Sequence, residues 1–360
     1  MRLAVDGSGL GRPAAGIATY TREVLTAMRE LRPDVEVDLY LPRGAPHLPG
    51  PLNLSMPPAR LVGRHLQWPR AIRRSRATAY FGPVGLLPIV SVGVPTVITI
   101  HDVAIYRNPA WFPSQPLSTR VVVPRSIRAA TRLLAVSECT RRDLAELFGV
   151  VPERVTVTPL AAGLEFRPLD PDTLAGVARK LDLPERFLLF VGTIEPRKNV
   201  ETLLDAWQAM DDRPHLVLAG SWGWRVERLR RRIENTPGVK VIGALPAHEL
   251  ACVYNLAACL VHPAWYEGFG LTPLEAMACG TPVICSDRAS LPEVVGDAAL
   301  MVPPDDVRAL SAAMRRVLDE PAAAAGLRER GLGRAREFSW QRTAAATWAS
   351  IDSALGAATR

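Results

Sequence analysis

The amino-acid sequence predicts an α/β protein built from two doubly wound domains, each with a mainly parallel sheet. Three observations support this fold class. The chain has 360 residues, more than one hydrophobic core usually organises. Short apolar runs alternate with longer amphipathic stretches along the chain. A segment rich in proline and aspartate interrupts this alternation near the middle, so we predict two α/β domains that follow each other in sequence.

The predicted strands are short runs of consecutive apolar residues, many of them β-branched. Such runs are typical of parallel strands that are buried on both faces of a sheet. Eight runs have this character: Leu3–Val5, Val97–Ile100, Leu133–Val136, Phe187–Val191, Leu216–Ala219, Val239–Ile242, Leu260–Val261 and Val283–Cys285. Between them, apolar residues at helical spacing, such as Ile17, Tyr20 and Val24, predict helices.

The domain boundary is expected in residues 162–172, where a glycine, two prolines and two aspartates favour a linker. The sequence then divides into a first domain, residues 1–166, and a second, residues 167–340. Ligands of open α/β sheets bind beyond the carboxyl ends of the strands. We therefore expect the two domains to face each other across a cleft that holds the active site.

The composition disfavours several classes of protein. Hydrophobic residues make up 48% and charged residues 22%, as in ordinary soluble proteins. The longest apolar runs are too short to cross a bilayer, and Asp6 interrupts the first run before a signal-peptide core could form, so we expect a cytoplasmic protein. Five cysteines without a C-x-x-C pair favour reduced thiols. The net charge of +7 favours anionic partners, which could be nucleotide phosphates, phospholipid headgroups or nucleic acid.

The strongest motif lies between Trp265 and Val283. Glu267 and Glu275 are separated by seven residues, and a Gly-Phe-Gly turn follows the first of them. Pro273 suits the first turn of a helix, and the start of a helix attracts an anionic ligand. We expect Glu275 to lie in that first turn, where the helix dipole stabilises a carboxylate that accepts hydrogen bonds from a diol.

This string resembles the E-x7-E motif of retaining glycosyltransferases with the GT-B fold, which has two Rossmann-like domains, and in detail it resembles glycosyltransferase family four. The resemblance covers nearly the whole chain. It implies that Glu267 contacts the transferred sugar and Glu275 the ribose hydroxyls. It also implies that the sugar donor binds along the turn and helix start, at Gly268, Phe269, Gly270, Leu271 and Thr272.

A second motif, Gly192-Thr193-Ile194-Glu195-Pro196-Arg197-Lys198-Asn199, follows the predicted strand Phe187–Val191. A glycine turn and two cations at the end of a strand suit a diphosphate, whose negative charge they would stabilise as the nucleotide leaves. The string resembles the G-x-x-E-P-R-K-N pattern of the same family. Several members have arginine where this chain has Thr193. We assign the diphosphate contact to Lys198 first and Arg197 second, with Gly192 and Thr193 beside them.

Two further candidates lie in the first domain. His101-Asp102 follows a predicted strand, and it matches the place where the family has a sugar-contacting histidine, which Asp102 would orient. The loop Gly7–Gly16 satisfies G-x-G-x-x-A at Gly9–Ala14, the fingerprint of dinucleotide binding, but it is longer than that tight turn. The resemblance instead implies that Gly16 lets the backbone approach the donor phosphate.

Two segments have ordinary structural explanations that we favour over a function. Asp170-Pro171-Asp172 spells the D-x-D metal motif of another glycosyltransferase fold, but it lies in the predicted linker. Residues 60–76 are basic with interspersed apolar residues, and they could contact an anionic membrane or form a solvated helix face. No recognised module accompanies this charge, so we do not expect nucleic-acid binding.

By resemblance, the chain is a retaining hexosyltransferase that needs neither a metal nor another cofactor. Mannose from GDP-mannose is the favoured donor, and dTDP-rhamnose and UDP-glucose remain open. The acceptor could be a glycan, a lipid-linked saccharide or a small molecule. Residues 341–360 should form a helix that returns to the first domain. Two alternatives from other classes are an NAD-binding oxidoreductase and a sugar-nucleotide-binding protein without activity.

Overall fold

The computed structural model describes residues 1–11, 16–41, 53–55, 63–114 and 118–358. The chain divides into two compact units. The first unit comprises Met1–Tyr106, Ser114–Leu160 and Ser339–Arg360, and the second comprises Arg107–Pro113 and Ala161–Phe338. Among the described helices, none combines the length and the apolar character that a bilayer crossing requires.

In the described residues, the first unit contains a seven-stranded sheet whose neighbouring strands all run parallel. The strands are β1 (Arg2–Asp6), β2 (Glu36–Tyr40), β3 (Asn53–Ser55), β4 (Ala79–Gly82), β5 (Thr96–Ile100), β6 (Arg132–Ala135) and β7 (Val155–Val157), in the spatial order β3-β2-β1-β4-β5-β6-β7. β4 and β5 are buried along their whole length, as expected for strands that helices cover on both faces.

Helices connect these strands. They are α1 (Gly16–Leu31), α2 (Trp68–Arg74), α3 (Ala104–Arg107), α4 (Val123–Ala129) and α5 (Glu138–Phe148). The last helix of the chain, numbered α14 (Trp340–Ala358), also belongs to this unit and packs against α1. There the Trp348 indole N–H donates to the Met28 carbonyl at 3.0 Å, and the Arg32 guanidinium lies 4.8 Å from the centre of the Trp348 ring.

The second unit, all of whose residues are described, contains a six-stranded parallel sheet. Its strands are β8 (Phe187–Val191), β9 (His215–Ala219), β10 (Val239–Gly243), β11 (Cys259–His262), β12 (Val283–Ser286) and β13 (Leu300–Val302). Its helices are α6 (Pro171–Lys180), α7 (Val200–Gln208), α8 (Glu227–Glu234), α9 (Ala247–Leu256), α10 (Leu271–Ala278), α11 (Leu291–Val295), α12 (Val307–Asp319) and α13 (Pro321–Ala335).

The strand order of the second unit determines where its site lies. The order is β10-β9-β8-β11-β12-β13, so the chain moves outward in one direction from β8 and in the other from β11. The connections that follow β8 and β11 therefore leave the sheet side by side, with Leu188 paired to Cys259 within the strands. Such a switch point is where doubly wound sheets bind their ligands.

All eight predicted strands are present. The sequence missed β2, β3, β4, β7 and β13. Glu36 and Asp38 interrupt the apolar pattern of β2, and β13 is a run of only three apolar residues. Strands that are interrupted or very short have a weak sequence signal, and their pairing with neighbouring strands defines them.

The predicted linker extends too far. Pro171 and Asp172 begin α6 rather than end the linker, because proline suits the first position of a helix. The Asp170 carboxylate caps this helix, accepting hydrogen bonds from the Thr173 amide at 2.9 Å and the Thr173 hydroxyl at 2.8 Å. Asp170 and Asp172 thus belong to a helix N-terminus.

The basic segment is only partly a solvated surface. Arg60, Leu61 and Val62 lie outside the described residues, as do Arg12–Ala15 of the glycine-rich loop. The Arg64 guanidinium forms an ion pair with the fully buried Asp6 carboxylate at the end of β1. Arg70, Arg73 and Arg74 are exposed. The interpretation as one continuous solvated face is therefore wrong at Arg64, whose ion pair compensates the burial of Asp6.

Candidate functional site

The turn that follows β8 has a backbone conformation that only a few residue types can adopt. Gly192 has φ 143° and Gly220, which follows β9, has φ 150°. A Cβ atom at Gly220 would lie 2.0 Å from the Gly192 carbonyl oxygen, so these two turns can pack together only without a side chain there. A 3-10 turn, Pro196–Lys198, and the left-handed Asn199 then lead into α7.

The turn that follows β11 connects the strand to α10. The Ser290 hydroxyl lies 2.8 Å from the Glu267 carbonyl oxygen and 2.6 Å from the Phe269 carbonyl oxygen, and it donates to this pair. Gly270, with φ 113°, is the residue before α10, and a Cβ atom there would lie 3.0 Å from the Leu291 side chain. Together, these contacts fix the backbone of the Gly-Phe-Gly turn.

Hydrogen bonds join the two turns. The Trp265 amide donates to the Arg197 carbonyl at 2.9 Å. The buried Asn199 side-chain amide donates to the Pro263 carbonyl at 3.1 Å and to the Pro304 carbonyl at 2.6 Å. Because both turns are held by backbone contacts, the side chains that they carry have a defined relative geometry.

Glu267 lies at the centre of the resulting cluster. Its Oε1 pairs with the Lys198 ammonium and lies 2.8 Å from His262 Nε2, and its Oε2 lies 3.1 Å from the Arg197 guanidinium. The side chains of Glu267 and Lys198 are each 12% exposed, so this is a largely buried ionic group. The structure thus brings together three of the four predicted catalytic residues, namely Glu267, Lys198 and Arg197.

Within this cluster, the carboxylate and the two cations stabilise each other's charged forms. Burial alone would raise the pKa of Glu267, but Lys198, Arg197 and the hydrogen bond from His262 outweigh it and hold that pKa well below its usual value. Burial lowers the pKa of Lys198, although Glu267 opposes this shift. Glu267 is therefore ionised at neutral pH, and the cluster is a carboxylate surrounded by hydrogen-bond donors.

Arg197 is strongly engaged by the protein itself. Its guanidinium pairs with the Glu195 carboxylate at 2.6 Å and donates to the Tyr266 carbonyl at 2.7 Å, in addition to its contact with Glu267. These contacts connect the β8 turn to the residue before Glu267. Arg197 therefore stabilises the backbone of the site through contacts with other protein groups. Lys198 forms fewer contacts of this kind, which would compete with a bound ligand.

The position of Glu275 in α10 and its pKa differ from those that the sequence predicted. It is the fifth residue of α10, so it lies beyond the first turn, and the prediction that the helix dipole stabilises its carboxylate is wrong. Burial raises its pKa to about 8, opposed only by a hydrogen bond from the buried Tyr254 hydroxyl at 3.1 Å. The physical reason is that α10 begins at Leu271, immediately after the glycine turn, which displaces Glu275 from the free amides.

The other predicted donor-binding residues lie along the two turns. Gly268, Phe269 and Gly270 form the turn itself, and Leu271 and Thr272 begin α10. The Phe269 ring packs edge-on against Phe338 at 5.8 Å between centroids, so its side chain belongs to the core. Thr193, after β8, is exposed.

His101 and Gly16 belong to the first unit. His101 Nε2 lies 2.7 Å from the Pro83 carbonyl, the ring packs edge-on against Tyr20, and burial lowers the pKa of His101. The Asp102 carboxylate accepts a hydrogen bond from the Ala104 amide at 3.0 Å, and its orientation of the imidazole stays a prediction. Gly16 begins α1, and a Cβ atom there would meet nothing within 4 Å. Contact of His101 or Gly16 with a sugar donor stays a prediction.

Comparison with known proteins identifies the family. Residues 177–334 match the family described as Glycosyl transferases group 1, and residues 14–165 match Glycosyltransferase Family 4. O-antigen chain mannosyltransferase B of Escherichia coli is 35% identical over 280 residues, which cover 75% of this chain and 73% of that protein. The chain belongs to glycosyltransferase family 4. This membership favours glycosyl transfer over the nicotinamide-dependent alternative.

A second relative and a solved structure extend the comparison. Serotype-specific mannosyltransferase WbdA of Escherichia coli is 30% identical over 273 residues, and the match covers 72% of this glycosyltransferase but 33% of WbdA. Sucrose-phosphate synthase of Thermosynechococcus elongatus superposes with a TM-score of 0.76 over 99% of both chains, at 23% identity. The superposition confirms the predicted GT-B fold class with two doubly wound units.

Four residues that support the site of this glycosyltransferase were not predicted from its sequence. Glu195 and Asn199 stand inside the second motif, and their positions beside the two cations could have indicated a role. His262 directly follows the predicted strand Leu260–Val261, which is a weaker signal. Tyr254 lies in α9 among ordinary helical residues, and nothing in the sequence connects it to Glu275.

Within the described residues, no three His, Cys, Asp or Glu side chains are grouped so as to hold a metal ion.

Proposed function

We propose that this glycosyltransferase takes mannose from GDP-mannose and transfers it to a glycan, a lipid-linked saccharide or a small molecule, with retention of anomeric configuration and without a metal ion. The observation that carries the proposal is the buried group formed by Glu267, Lys198 and Arg197 at the switch point of the second sheet. It combines a carboxylate that can hold sugar hydroxyls with cations that can stabilise a leaving diphosphate.

The proposed chemistry divides the work among these side chains. Lys198 neutralises charge on the departing diphosphate, and Arg197 assists while supporting the turn that carries Glu267. Glu267 orients the sugar through its hydroxyls. Its three hydrogen-bonding neighbours and its lowered pKa make it a poor nucleophile. Front-face attack, in which the donor phosphate accepts the proton of the acceptor hydroxyl, is therefore the route that we propose.

The nucleotide would lie along the second unit, with its diphosphate near Gly192, Thr193 and the start of α10, and its ribose hydroxyls on Glu275. We propose that the first unit binds the acceptor and supplies His101 and Gly16. The mannose assignment follows the names of the two Escherichia coli relatives, which also favour a role in polysaccharide biosynthesis. dTDP-rhamnose and UDP-glucose are the competing donors.

A thermal-shift screen tests the donor. GDP-mannose, UDP-glucose, dTDP-rhamnose and ADP-glucose are compared with the corresponding free nucleotides, because a ligand that binds the folded state raises the melting temperature by mass action. We expect the largest shift with GDP-mannose. A larger shift with another nucleotide sugar would replace the donor, and no shift with any of them would contradict the proposed function.

Product analysis tests the mechanism. With a mannosyl-oligosaccharide acceptor, the anomeric proton of the product should show the configuration of the donor from its first appearance in NMR spectra. Activity should persist after treatment with EDTA. An inverted product would exclude the proposed geometry of attack, and loss of activity that Mg²⁺ or Mn²⁺ restores would exclude the metal-independent mechanism.

We also propose a peripheral contact with an anionic membrane through the basic segment. Arg70, Arg73 and Arg74 are exposed on or beside α2, and Leu66, before that helix, is 43% exposed. Exposed arginines beside an apolar side chain suit an anionic lipid surface. The chain should sediment with phosphatidylglycerol vesicles and not with phosphatidylcholine vesicles, and changing the three arginines to glutamate should abolish sedimentation.

A further inference from the structure

His262 contacts Glu267 directly but has no part in the proposed chemistry. It ends β11, is fully buried, and lies with its ring nearly parallel to the ring of Phe190, at 12° and 6.3 Å between centroids. Its Nε2 lies 2.8 Å from Glu267 Oε1. Its Nδ1 is buried and has no hydrogen-bond partner among the described residues.

This geometry specifies one protonation state of the imidazole. Glu267 is an ionised acceptor, so the Nε2 atom that faces it must carry a proton. A second proton at Nδ1 would be a buried N–H group without an acceptor, which is costly. Burial lowers the pKa of His262, and the charges of Lys198 and Arg197 also lower it, while Glu267 opposes the shift. His262 is therefore neutral, with its proton on Nε2.

A neutral hydrogen-bond donor behaves differently from the two cations beside it. Lys198 and Arg197 would be drawn to a diphosphate as well as to Glu267, because both targets are anionic. The imidazole of His262 has no net charge and is held in place by the strand and by Phe190. Its hydrogen bond to Glu267 can therefore persist while the cations engage a nucleotide.

We propose that His262 is a positioning residue that keeps Glu267 ionised and aimed at the sugar when Lys198 and Arg197 bind the diphosphate. The proposal rests on the function proposed above, since it assumes that Glu267 contacts the sugar. The charged groups that face Glu267 are Lys198 and Arg197, and Glu195 faces Arg197 from the other side. His262 is thus the one uncharged side chain among the three that pair with the Glu267 carboxylate in the described structure.

Two variants separate the hydrogen bond from the shape of the ring. His262→Phe keeps a ring that can lie beside Phe190 but removes the N–H group. His262→Gln removes the ring but places an amide N–H close to the position of Nε2. Both proteins are first checked for folding by circular dichroism and melting temperature. If one variant fails to fold, the affinity measurements on the other variant are used for the test.

The measured quantity is the gain in affinity that the sugar provides, defined as the dissociation constant of the free nucleotide divided by that of the nucleotide sugar. It is measured by calorimetry with GDP and GDP-mannose, and with UDP and UDP-glucose. We expect His262→Phe to reduce this gain about tenfold, with free-nucleotide affinity within about twofold of wild type. His262→Gln should keep most of the gain.

The pH dependence provides a second readout. Because the pKa of Glu267 is lowered, the gain should be present at neutral pH and be lost only as the pH falls through that pKa. Without the His262 N–H group the pKa of Glu267 rises, so His262→Phe should lose the gain at a higher pH than wild type. His262→Gln should follow wild type.

The outcomes are distinguishable. An equal gain in wild type, His262→Phe and His262→Gln would overturn the positioning role and leave the proposed function intact. So would an equal loss of free-nucleotide and nucleotide-sugar affinity in His262→Phe, which would indicate a merely structural histidine. A wild-type protein without any gain from either sugar would overturn the sugar contact of Glu267, and this inference with it.

Discussion

Glu267 and Glu275 have the same side chain, and as whole residues they are nearly equally buried, at 9% and 8% exposed, yet their electrostatic states are opposite. Glu267 has two cations and an imidazole N–H around it, and its pKa is well below the usual value. Glu275 has the Tyr254 hydroxyl as its hydrogen-bond partner, and burial raises its pKa to about 8. At neutral pH the first is a carboxylate and the second is mostly a carboxylic acid.

Because the two residues are about equally buried, the difference between their charges comes from their neighbours. It also suits two different tasks. An ionised Glu267 accepts hydrogen bonds strongly, whereas a protonated Glu275 can both donate to and accept from a diol. The two glutamates of one motif therefore need separate tests.

The largest expected difference is in stability. Glu267→Gln should lower the free energy of unfolding by roughly 3–5 kcal/mol, because it removes the carboxylate that pairs with the buried Lys198 and one of the two carboxylates that pair with Arg197. Glu275→Gln should instead raise it at pH 7, by up to about 3 kcal/mol, since the amide is neutral in both states and removes the cost of protonating Glu275 on folding. Denaturant unfolding at pH 7 measures both. Glu320→Gln, in an exposed pair with Arg316, is the control, and equal effects at Glu267 and Glu275 would remove the contrast.

The pH dependence of stability isolates Glu275. Its pKa is about 8 in the folded protein and near the ordinary glutamate value when unfolded, so the unfolded chain releases its proton first as the pH rises. The contribution of Glu275 to the free energy of unfolding is fully present below its pKa in the unfolded chain. It is lost as the pH rises towards 8, by roughly 3 kcal/mol between pH 5 and 8. Glu267, whose pKa is lowered, contributes no slope in that window.

Unfolding curves of wild type and Glu275→Gln at half-unit intervals from pH 5 to 8 measure this slope. The variant cannot titrate, so its stability should fall less over the window. Parallel pH profiles of the two proteins would contradict a raised pKa for Glu275.

Nucleotide affinity tests the role of Glu275 in binding. Glu275→Ala should weaken GDP binding by about 1–3 kcal/mol, because two hydrogen bonds to ribose hydroxyls are lost. Calorimetry at pH 7 measures the change, and Glu275→Gln, which retains a donor and an acceptor, should lose less. Unchanged GDP binding by a folded Glu275→Ala protein would remove Glu275 from the site.

The smallest expected effect comes from Tyr254. Tyr254→Phe should lower the free energy of unfolding by about 1 kcal/mol and raise the pKa of Glu275 further, because the hydroxyl that favours its charged form is lost. The matched control is Tyr20→Phe, which removes a buried hydrogen bond to Thr99 at 2.8 Å in the first unit. Stability curves of both variants against pH should differ only in the region where Glu275 titrates.

The sequence predicted the fold from particular segments. β8 and β11 were recognisable because short runs of consecutive apolar residues are typical of strands buried on both faces. β2 was not, because Asp38 breaks its apolar pattern and pairing on both sides makes it a strand. The predicted start of α10 was too close to Glu275. The helix begins directly after Gly270, and the left-handed backbone of that residue could not be predicted from the sequence.

By itself, the sequence determined the alternation of strands and helices and the two motifs at strand ends, because hydrophobic periodicity and turn residues act locally. Only the tertiary structure decided that His262, Glu195 and Tyr254 belong to the site. It also gave Glu267 and Glu275 opposite charges. A pKa depends on which groups lie within a few ångströms in space, and residues distant in sequence supply those groups.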